Sequence, residues 1–179
     1  MSRNRSRFRW GLGVAVALTG AAMVVPPAAN ADHANGAASG RLYTASWPVC
    51  NSGQGAGVTA TSWAMGQINV TDINAYTVGC PSTWRVSVSS LNYPESWYGL
   101  TNCHTAVSSG RCNSSKGVRL NGRVITTSQQ WRKTALHELG HVAGLGHRST
   151  NGSAMTQGAS PPVSQYFDSH DRSAINGSY

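Results

Sequence analysis

Three histidines and one glutamate are concentrated in residues 137–147, which read HELGHVAGLGH. His137 and His141 are four residues apart, so on a helix their imidazoles lie on one face, one turn from each other. Glu138 is rotated by about 100° from His137 around the helix axis, so its carboxylate can approach the same place without being a ligand. Two imidazoles at this spacing can bind one metal ion, and an adjacent carboxylate can act as a general base.

His147 lies six residues after His141, where a continuing helix would carry it about 9 Å along the axis and about 240° around it. Ligands of one zinc ion lie about 2.0–2.1 Å from the ion, so we expect the chain to turn sharply between these two residues. Gly144 lies where this turn is needed, because glycine adopts positive φ without a steric cost. Three imidazoles leave a fourth position open, as in catalytic zinc sites.

A zinc ion held in this way polarises a carbonyl group and lowers the pKa of a water molecule towards about 7. Glu138 would take a proton from that water during attack on the scissile carbonyl and pass it to the leaving amine. The sequence therefore predicts one catalytic zinc ion, bound by His137, His141 and His147, with Glu138 as the general base.

The pattern HExxHxxGxxH is similar to the zinc signature of the metzincin metallopeptidases. Members of that clan have a methionine in a turn beneath the metal, and Met155, eight residues after His147, fits that role. The short gap to Met155 and the last ten residues, HDRSAINGSY, most resemble the matrixin branch. The resemblance implies an α+β fold, in which a twisted mixed sheet accompanies an active-site helix and a small C-terminal subdomain with the methionine turn. It also implies that the protein is an enzyme that hydrolyses internal peptide bonds of extracellular proteins.

The chain also departs from these relatives. Gln157 stands where astacin-like enzymes have a tyrosine ligand, so no fifth ligand is expected, and His147 stands where snapalysin-like enzymes have an aspartate. The paired His and Asp segment that binds a second, structural zinc ion in many matrixins is missing. A structural calcium ion is possible but has little support, since the chain has only six acidic residues.

The first 31 residues have the layout of a secretory signal peptide. Four arginines are followed by 15 uncharged residues, Gly11–Val25, and then by small residues at positions 29 and 31. The uncharged run is shorter than the roughly 20 residues of a membrane-spanning helix. We therefore expect cleavage after Ala31, secretion to the extracellular space without a membrane anchor, and a single catalytic domain over 32–179.

Cleavage would also change the charge of the protein. It removes four of the 14 basic residues and none of the six acidic ones, which leaves ten against six and a net charge of +4. This modest excess does not predict a nucleic-acid partner. We expect a protein or peptide substrate and a monomeric enzyme.

Four cysteines remain after cleavage: Cys50, Cys80, Cys103 and Cys112. In an oxidising compartment an even number predicts two disulfides. Three pairings are possible, and we favour Cys50–Cys80 with Cys103–Cys112 because sequential pairs close the shorter loops. No CxxC motif occurs, which argues against a cysteine-based zinc site.

The clearest predicted element is a helix over 127–143, which would carry the first two histidines. Thr127 followed by Gln130 predicts a capping box at its start, and Gly144 is a natural terminator. Alternating apolar residues predict a strand over 84–91, and a polar, glycine-rich composition predicts a long loop over 93–115 closed by Cys103–Cys112. The weaker predictions are a strand over 41–49, an ambiguous segment with helical character over 58–70, a tight hairpin or a short strand with a turn over 118–125, a short helix over 169–175, and a loose segment over 32–40.

Two other functions stay open. The protein could be a catalytically inactive zinc-containing binding or adhesion protein, although a structural site does not need Glu138. It could also be a zinc amidase that acts on cell-wall peptide. His104 is interpreted as an exposed loop histidine, and the group Asp168, His170 and Asp171 as a capped helix start.

Overall fold

The computed structural model describes residues 37–80 and 83–179. In this part the chain forms a mixed α+β fold with three helices and a five-stranded mixed sheet. The signal peptide predicted over 1–31 lies outside the described residues. None of the described helices is both long and apolar enough to cross a membrane.

The five strands of the sheet are β2 (Ser46–Asn51), β3 (Asn74–Val78), β4 (Val86–Leu91), β5 (Gly99–Cys103) and β7 (Lys116–Asn121). Their order is β3-β2-β4-β7-β5. All neighbours run parallel except β5, which pairs antiparallel with β7 and forms one edge of the sheet. A separate two-residue ladder joins β1 (Arg41–Leu42) in parallel to β6 (Arg111–Cys112).

The three helices are α1 (Ala56–Ile68), α2 (Ser128–Val142) and α3 (Ser169–Asn176). Helices α1 and α2 pack against each other and on one face of the sheet. Alternate residues of β4 and β7 supply that inner face, with Val86, Val88, Val118 and Leu120 all buried. Because strand side chains alternate between the two faces, the residues between them point away from the helices.

Helix α2 begins as the sequence predicts. The Thr127 hydroxyl accepts a hydrogen bond from the Gln130 amide at 3.2 Å, and the Gln130 side chain accepts one from the Thr127 amide at 3.2 Å. Such a cap stabilises a helix start by about 1 kcal/mol. The apolar face of this helix is buried against the sheet and α1, at Ala135, Leu136, Leu139, Val142 and Ala143. This burial fixes the rotation of α2 and so the direction of its histidines.

The prediction of a long loop over 93–115 is wrong, because this segment contains β5 and β6. The composition of β5, Gly-Leu-Thr-Asn-Cys, has weak strand propensity, and it is the pairing with β7 that makes it a strand. The tight hairpin over 118–125 is also absent, since Lys116–Asn121 is one strand followed by a turn, which was the alternative. Strand β3 was not predicted, and the expected first strand is interrupted at residues 43–45.

The prediction of a loose segment over 32–40 fails where the structure describes it. The Ala37 amide donates to the Gly144 carbonyl at 3.1 Å, and Lys116 Nζ donates to Ser39 Oγ at 3.0 Å and to the Gly40 carbonyl. Residues 37–40 are therefore held between β7 and the end of α2.

Both disulfides connect the cysteines in the pairing that the sequence analysis favours. Cys50 is bonded to Cys80 and Cys103 to Cys112, and no described cysteine is free. The first bond joins β2 to the segment after β3. The second ties the end of β5 to β6 and thus stabilises the strand whose own sequence is weakly β-forming.

Candidate metal centre

The three histidines predicted as ligands converge on one point. His137 and His141 lie in α2, His147 follows it, and the ligand nitrogens of the three all lie within 4.8 Å of one another. The Nε2 atoms of His137 and His141 are 3.1 Å apart. Two ligands of a tetrahedral zinc ion would be about 3.3 Å apart, so the geometry fits such an ion. This group could therefore hold a metal ion.

The other nitrogens of the two helical histidines face backbone carbonyls. His137 Nδ1 lies 2.7 Å from the Ala154 carbonyl oxygen, and His141 Nδ1 lies 2.8 Å from that of Leu145. A carbonyl can only accept, so we assign the ring proton to Nδ1 in both residues. Each Nε2 then has a free lone pair for a metal ion, which is the usual arrangement of histidine ligands.

Burial strongly favours the neutral imidazoles of His137 and His141, and it acts in the same direction on the more exposed His147. The pKa of His137 lies well below its usual range because the ring is buried and because Lys133 and His141 are near. Burial lowers the pKa of His141 to about 4 and lowers that of His147 as well. Neutral imidazole is the form that binds metals, so the site is ready for a cation at neutral pH.

The chain break that His147 requires occurs at the predicted residue. Helix α2 ends at Val142, and Gly144 has a φ of 94°. A Cβ on Gly144 would lie 2.7 Å from Cβ of Arg41, so the segment that crosses here also requires glycine. The Leu145 amide then donates to the Gly140 carbonyl at 2.9 Å, which turns the chain back towards the other histidines.

Met155 lies against α2 between the two helical histidines. A Cβ on Gly140 would lie only 2.2 Å from Sδ of Met155, so the methionine occupies the space that a side chain at this position would fill. Met155 is completely buried. It therefore supports α2 at the turn of the helix that joins His137 to His141.

A polar network holds the methionine turn and the residue after His147. The Ser153 hydroxyl donates to Asp171 Oδ2 at 2.6 Å and accepts a hydrogen bond from the Met155 amide at 2.9 Å. Arg148 makes ion pairs with Asp168 at 3.3 Å and with Asp171 at 3.6 Å. Helix α3 is thereby linked both to the methionine turn and to the residue that follows the third histidine.

Asp168, His170 and Asp171 also have ligand atoms within 4.8 Å of one another. Asp168 and Asp171 form a capping box at the start of α3, and the Arg148 guanidinium contacts all three side chains. A guanidinium in this position supplies the positive charge that a metal ion would bring. The structure thus agrees with the interpretation of this group as a capped helix start.

Glu138 is buried beside the histidines and contacts the edge strand. Its Oε2 accepts a hydrogen bond from the Thr101 hydroxyl at 2.6 Å. A Cβ on Gly99 would lie 2.5 Å from Oε1, so strand β5 can approach the carboxylate this closely only with glycine. Burial raises the pKa of Glu138 to about 7, although Thr101, Lys133 and Lys116 each oppose the increase.

The only two lysines of the chain are both buried near the site. Lys116 Nζ donates to the His141 carbonyl at 2.8 Å, and Lys133 Nζ donates to the Thr156 carbonyl and lies 3.1 Å from His137 Nδ1. Burial lowers the pKa of Lys116 to about 7 and that of Lys133 to about 8, while Glu138 raises both. Because His137 Nδ1 donates to Ala154, we interpret the contact with Lys133 as packing.

A cleft with a volume of about 510 Å³ lies over the three histidines, Glu138 and Lys133. The three histidines and Glu138 form part of its wall, strand β5 contributes Gly99–Thr101, and residues 37–39 contribute another wall. Gln157 and Gly158, which follow the methionine turn, line it as well. The three histidines and the carboxylate of Glu138 therefore face a single cleft beside the edge of the sheet.

Several residues that build the site were not predicted from the sequence. Lys133 is four residues before His137, so its position on the histidine face of α2 follows from helical spacing. Gly140 lies inside α2, where glycine costs about 1 kcal/mol relative to alanine, and this cost signals a packing reason. Thr101, Gly99 and Lys116 carry no signal of this kind, because only the register of β5 and β7 brings them to α2.

No model of a known protein family matches this chain, and no curated protein matches its sequence. The functional inference is therefore based on the site and on the sequence pattern that produces it.

Proposed function

We propose that the protein is a secreted zinc-dependent endopeptidase of the metzincin type, matrixin-like, which hydrolyses internal peptide bonds of extracellular proteins. The observation that carries the proposal is the convergence of three neutral imidazoles and the carboxylate of Glu138 in one cleft. The pattern HExxHxxGxxH over 137–147, together with Met155 beneath α2, supports the metzincin assignment.

His137, His141 and His147 would hold the metal. Three neutral nitrogen donors with space for a further ligand suit zinc. A zinc ion bound there would polarise the scissile carbonyl and make water more acidic. The identity of the metal is part of the proposal.

Glu138 is the residue that would move the proton. With a pKa of about 7, its carboxylate can both accept and release a proton near neutral pH. A cation bound by the histidines would lower this pKa by attraction. In peptide hydrolysis Glu138 would accept a proton from the attacking water and deliver it to the nitrogen of the leaving amine.

Strand β5 supports an extended polypeptide as the substrate. It pairs with β7 on one side and is the last strand of the described sheet on the other, and Gly99–Thr101 line the cleft. An extended peptide can add to such an edge by backbone hydrogen bonds. A peptide bound along β5 would pass beside the three histidines.

The two other functions differ from this proposal in testable ways. An inactive zinc-containing binding protein would not need a buried carboxylate beside the ligands, because burying a charge is costly. A zinc amidase acting on cell-wall peptide would share the chemistry but not the use of long protein substrates. The two disulfides are consistent with an oxidising, extracellular environment, and the monomeric state stays a prediction.

The decisive experiment uses the chain without residues 1–31, assayed on casein and on purified peptidoglycan. We expect cleavage of casein, its loss after dialysis against a chelator, and its return when zinc is added. Casein cleavage that is indifferent to the chelator would contradict a metal-dependent mechanism. Release of amine from peptidoglycan without casein cleavage would favour the amidase, and inactivity of the zinc-loaded protein on both would favour the binding protein.

A further inference from the structure

The sheet has an outer face on which neither α1 nor α2 packs. Side chains of Ser87 and Ser89 in β4, and of Gly117 and Arg119 in β7, alternate with the buried inner residues and so point to this face. Some of its large side chains are exposed, Leu91 by 53% and Leu100 by 42%. This face meets the cleft at strand β5, because Leu100 also lines the cleft.

A strip of arginine and aromatic side chains runs over this outer face. The Arg85 guanidinium lies 5.6 Å from the centre of the Tyr43 ring, and the Arg119 guanidinium lies 6.0 Å from that of Tyr93. We name the following residues the outer strip: Tyr43, Trp84, Arg85, Tyr93, Trp97, His104 and Arg119. Arginines held over rings lose less freedom when they bind a further partner, because their guanidinium groups are already positioned.

The middle of the outer strip is a pair of rings beside Gly117. Trp84 and His104 stand edge to face with 5.5 Å between ring centres. A Cβ on Gly117 would lie 3.1 Å from His104 Nε2 and 3.1 Å from Asn102 Oδ1, so the His104 ring lies directly over the glycine. The His104 imidazole and the Asn102 amide therefore lie next to the backbone of Gly117. An extended chain could form hydrogen bonds with these two side chains.

The outer strip is positively charged, and within residues 37–80 and 83–179 no carboxylate pairs with its arginines. In the described part of the chain neither Arg85 nor Arg119 has a carboxylate within ion-pair distance. Both lysines are buried, and the exposed carboxylates of the described residues are Asp72 and Glu95. Glu95 lies in the loop between Tyr93 and Trp97. In the same loop the carbonyl of Pro94 accepts a hydrogen bond from Arg123 at 3.0 Å.

The outer strip leads into the cleft. Tyr93 and Trp97 have ring centres 5.0 Å apart, and Trp97 and Leu100 both line the cleft that holds the histidines. Arg85 precedes Ser89 by four residues, and Ser89 is the register partner of Arg119, so the two arginines are about 13 Å apart along the strands. About four residues of an extended polypeptide cover that length.

We propose that the outer strip binds an acidic segment of the protein substrate, at a distance from the bond that is cut. This inference is based on the proposed peptidase function, because it assigns the bound chain to the substrate in the cleft. Positive charge without acidic partners selects carboxylates, the spacing of Arg85 and Arg119 fits an extended chain, and the contact through Trp97 connects the two surfaces.

Binding can be measured without turnover. A fluorescein-labelled peptide of alternating Glu and Ser, and a neutral one of Gln and Ser, would be titrated by anisotropy. The protein would again be the chain without residues 1–31, which carry four arginines of their own, and it would carry Glu138→Gln to avoid cleavage of the probe. At low salt we expect the acidic peptide to bind about tenfold more tightly, and the preference to weaken strongly at about 0.5 M salt. Replacing both Arg85 and Arg119 by Gln should remove most of this preference, with each arginine contributing about two- to fivefold in affinity for the acidic peptide.

The matched control replaces Arg132 and Arg172 by Gln. Both are exposed arginines on helices, and this pair changes the net charge by the same amount without touching the outer strip. The control should keep the preference for the acidic peptide. If both double variants lost the preference for the acidic peptide equally, or if the native outer strip showed no preference at any salt concentration, the proposal would be overturned in favour of nonspecific attraction.

A further arm adds inorganic polyphosphate as a competitor. If polyphosphate displaces the peptide only when its concentration of negative charges equals or exceeds that of the peptide, the polypeptide is supported as the occupant. If polyphosphate binds far more strongly than the peptide, the outer strip would be assigned to a phosphate polymer instead. If casein were not cleaved but the acidic peptide bound through Arg85 and Arg119, the peptidase function would fail and the surface would stand. If casein were cleaved but the acidic peptide did not bind through Arg85 and Arg119, the peptidase function would stand and the proposed surface would fail.

Discussion

The Thr101 hydroxyl donates a 2.6 Å hydrogen bond to Oε2 of Glu138, from the edge strand of the sheet to the helix that carries two of the three histidines. This bond fixes the carboxylate against β5, where Gly99 leaves room for Oε1. It also favours the charged form of the carboxyl group and so opposes the increase in pKa that burial causes. Strand β5 therefore both borders the cleft and adjusts the acidity of the proposed base.

The first prediction concerns this bond. In Thr101→Val the hydroxyl is lost at nearly constant volume, so the pKa of Glu138 should increase further. A base must be deprotonated to act, and the acidic limb of the pH profile of kcat/KM should therefore move to higher pH. A hydrogen bond to a charged group is worth about 1.5 kcal/mol or more, so the acidic limb should move by about one pH unit, and activity at pH values below the limb should fall by about tenfold.

Thr101→Ser is the control for this prediction, because it keeps the hydroxyl and removes only a methyl group. Its acidic limb should stay close to that of the native protein. If Thr101→Val and the native protein had the same pH profile, the bond would not influence the proposed base.

The second prediction concerns Glu138 itself. Glu138→Gln keeps the shape of the side chain but cannot accept a proton, so turnover of a peptide substrate should fall by about 10²–10⁴-fold. Zinc content, measured by atomic absorption, should remain at one ion per chain, because Glu138 is not a ligand. Glu95→Gln, at the only other glutamate, should turn over a short neutral peptide at the native rate. Near-native turnover of Glu138→Gln would exclude it as the general base.

The residues of the candidate site that lie in one segment could be predicted from the sequence. His137, His141 and Glu138 are arranged by the period of a single helix, and Thr127 with Gln130 marks where that helix starts. Even the break at Gly144 follows from local geometry, because no continuous helix could bring His147 to the other two histidines. These relationships depend only on neighbours in the chain.

The residues that come from other elements could not be predicted in this way. Strand β5 has few β-forming residues, and its position depends on antiparallel pairing with β7 and on the bond between Cys103 and Cys112. Thr101 reaches Glu138 only through that pairing. Lys116 is likewise brought to the end of α2 by the register of β7, and no spacing in the sequence indicates such a contact.

The third prediction separates two glycines in helices. Gly→Ala inside a helix usually stabilises by about 0.5–1 kcal/mol. At Gly66 of α1 nothing lies within 4 Å of the added Cβ, so Gly66→Ala should increase the free energy of unfolding by about that amount. At Gly140 the Cβ would lie 2.2 Å from Sδ of Met155, so Gly140→Ala should decrease it by about 1–3 kcal/mol.

Urea unfolding of the metal-free proteins tests this opposite behaviour directly. Gly140→Ala should also weaken zinc binding, because the displaced Met155 lies against the helix turn between His137 and His141. Stabilisation by both substitutions would show that Met155 can move away without cost, and the packing role of this methionine would then be wrong.

The fourth prediction concerns the chain break that brings in the third histidine. Gly144 has a φ of 94°, and a Cβ there would lie 2.7 Å from Cβ of Arg41, so Gly144→Ala combines backbone strain with a clash. To relieve the backbone strain or the clash with Arg41, the chain between His141 and His147 must shift. We therefore expect zinc affinity, measured by competition with a chelator, to fall by about 10–100-fold, as it does when the groups that orient ligands are lost.

Gly55→Ala is the matched control, because Gly55 also has a positive φ, of 54°, but nothing lies within 4 Å of an added Cβ and the residue precedes α1. It should lower the free energy of unfolding by about 1 kcal/mol and leave zinc affinity unchanged. A difference between the two variants in zinc affinity, at similar loss of stability, would show that the break at Gly144 positions His147. Equal zinc affinities would mean that His147 reaches the other histidines without this glycine, and the geometric requirement derived from the spacing of the three residues would not hold.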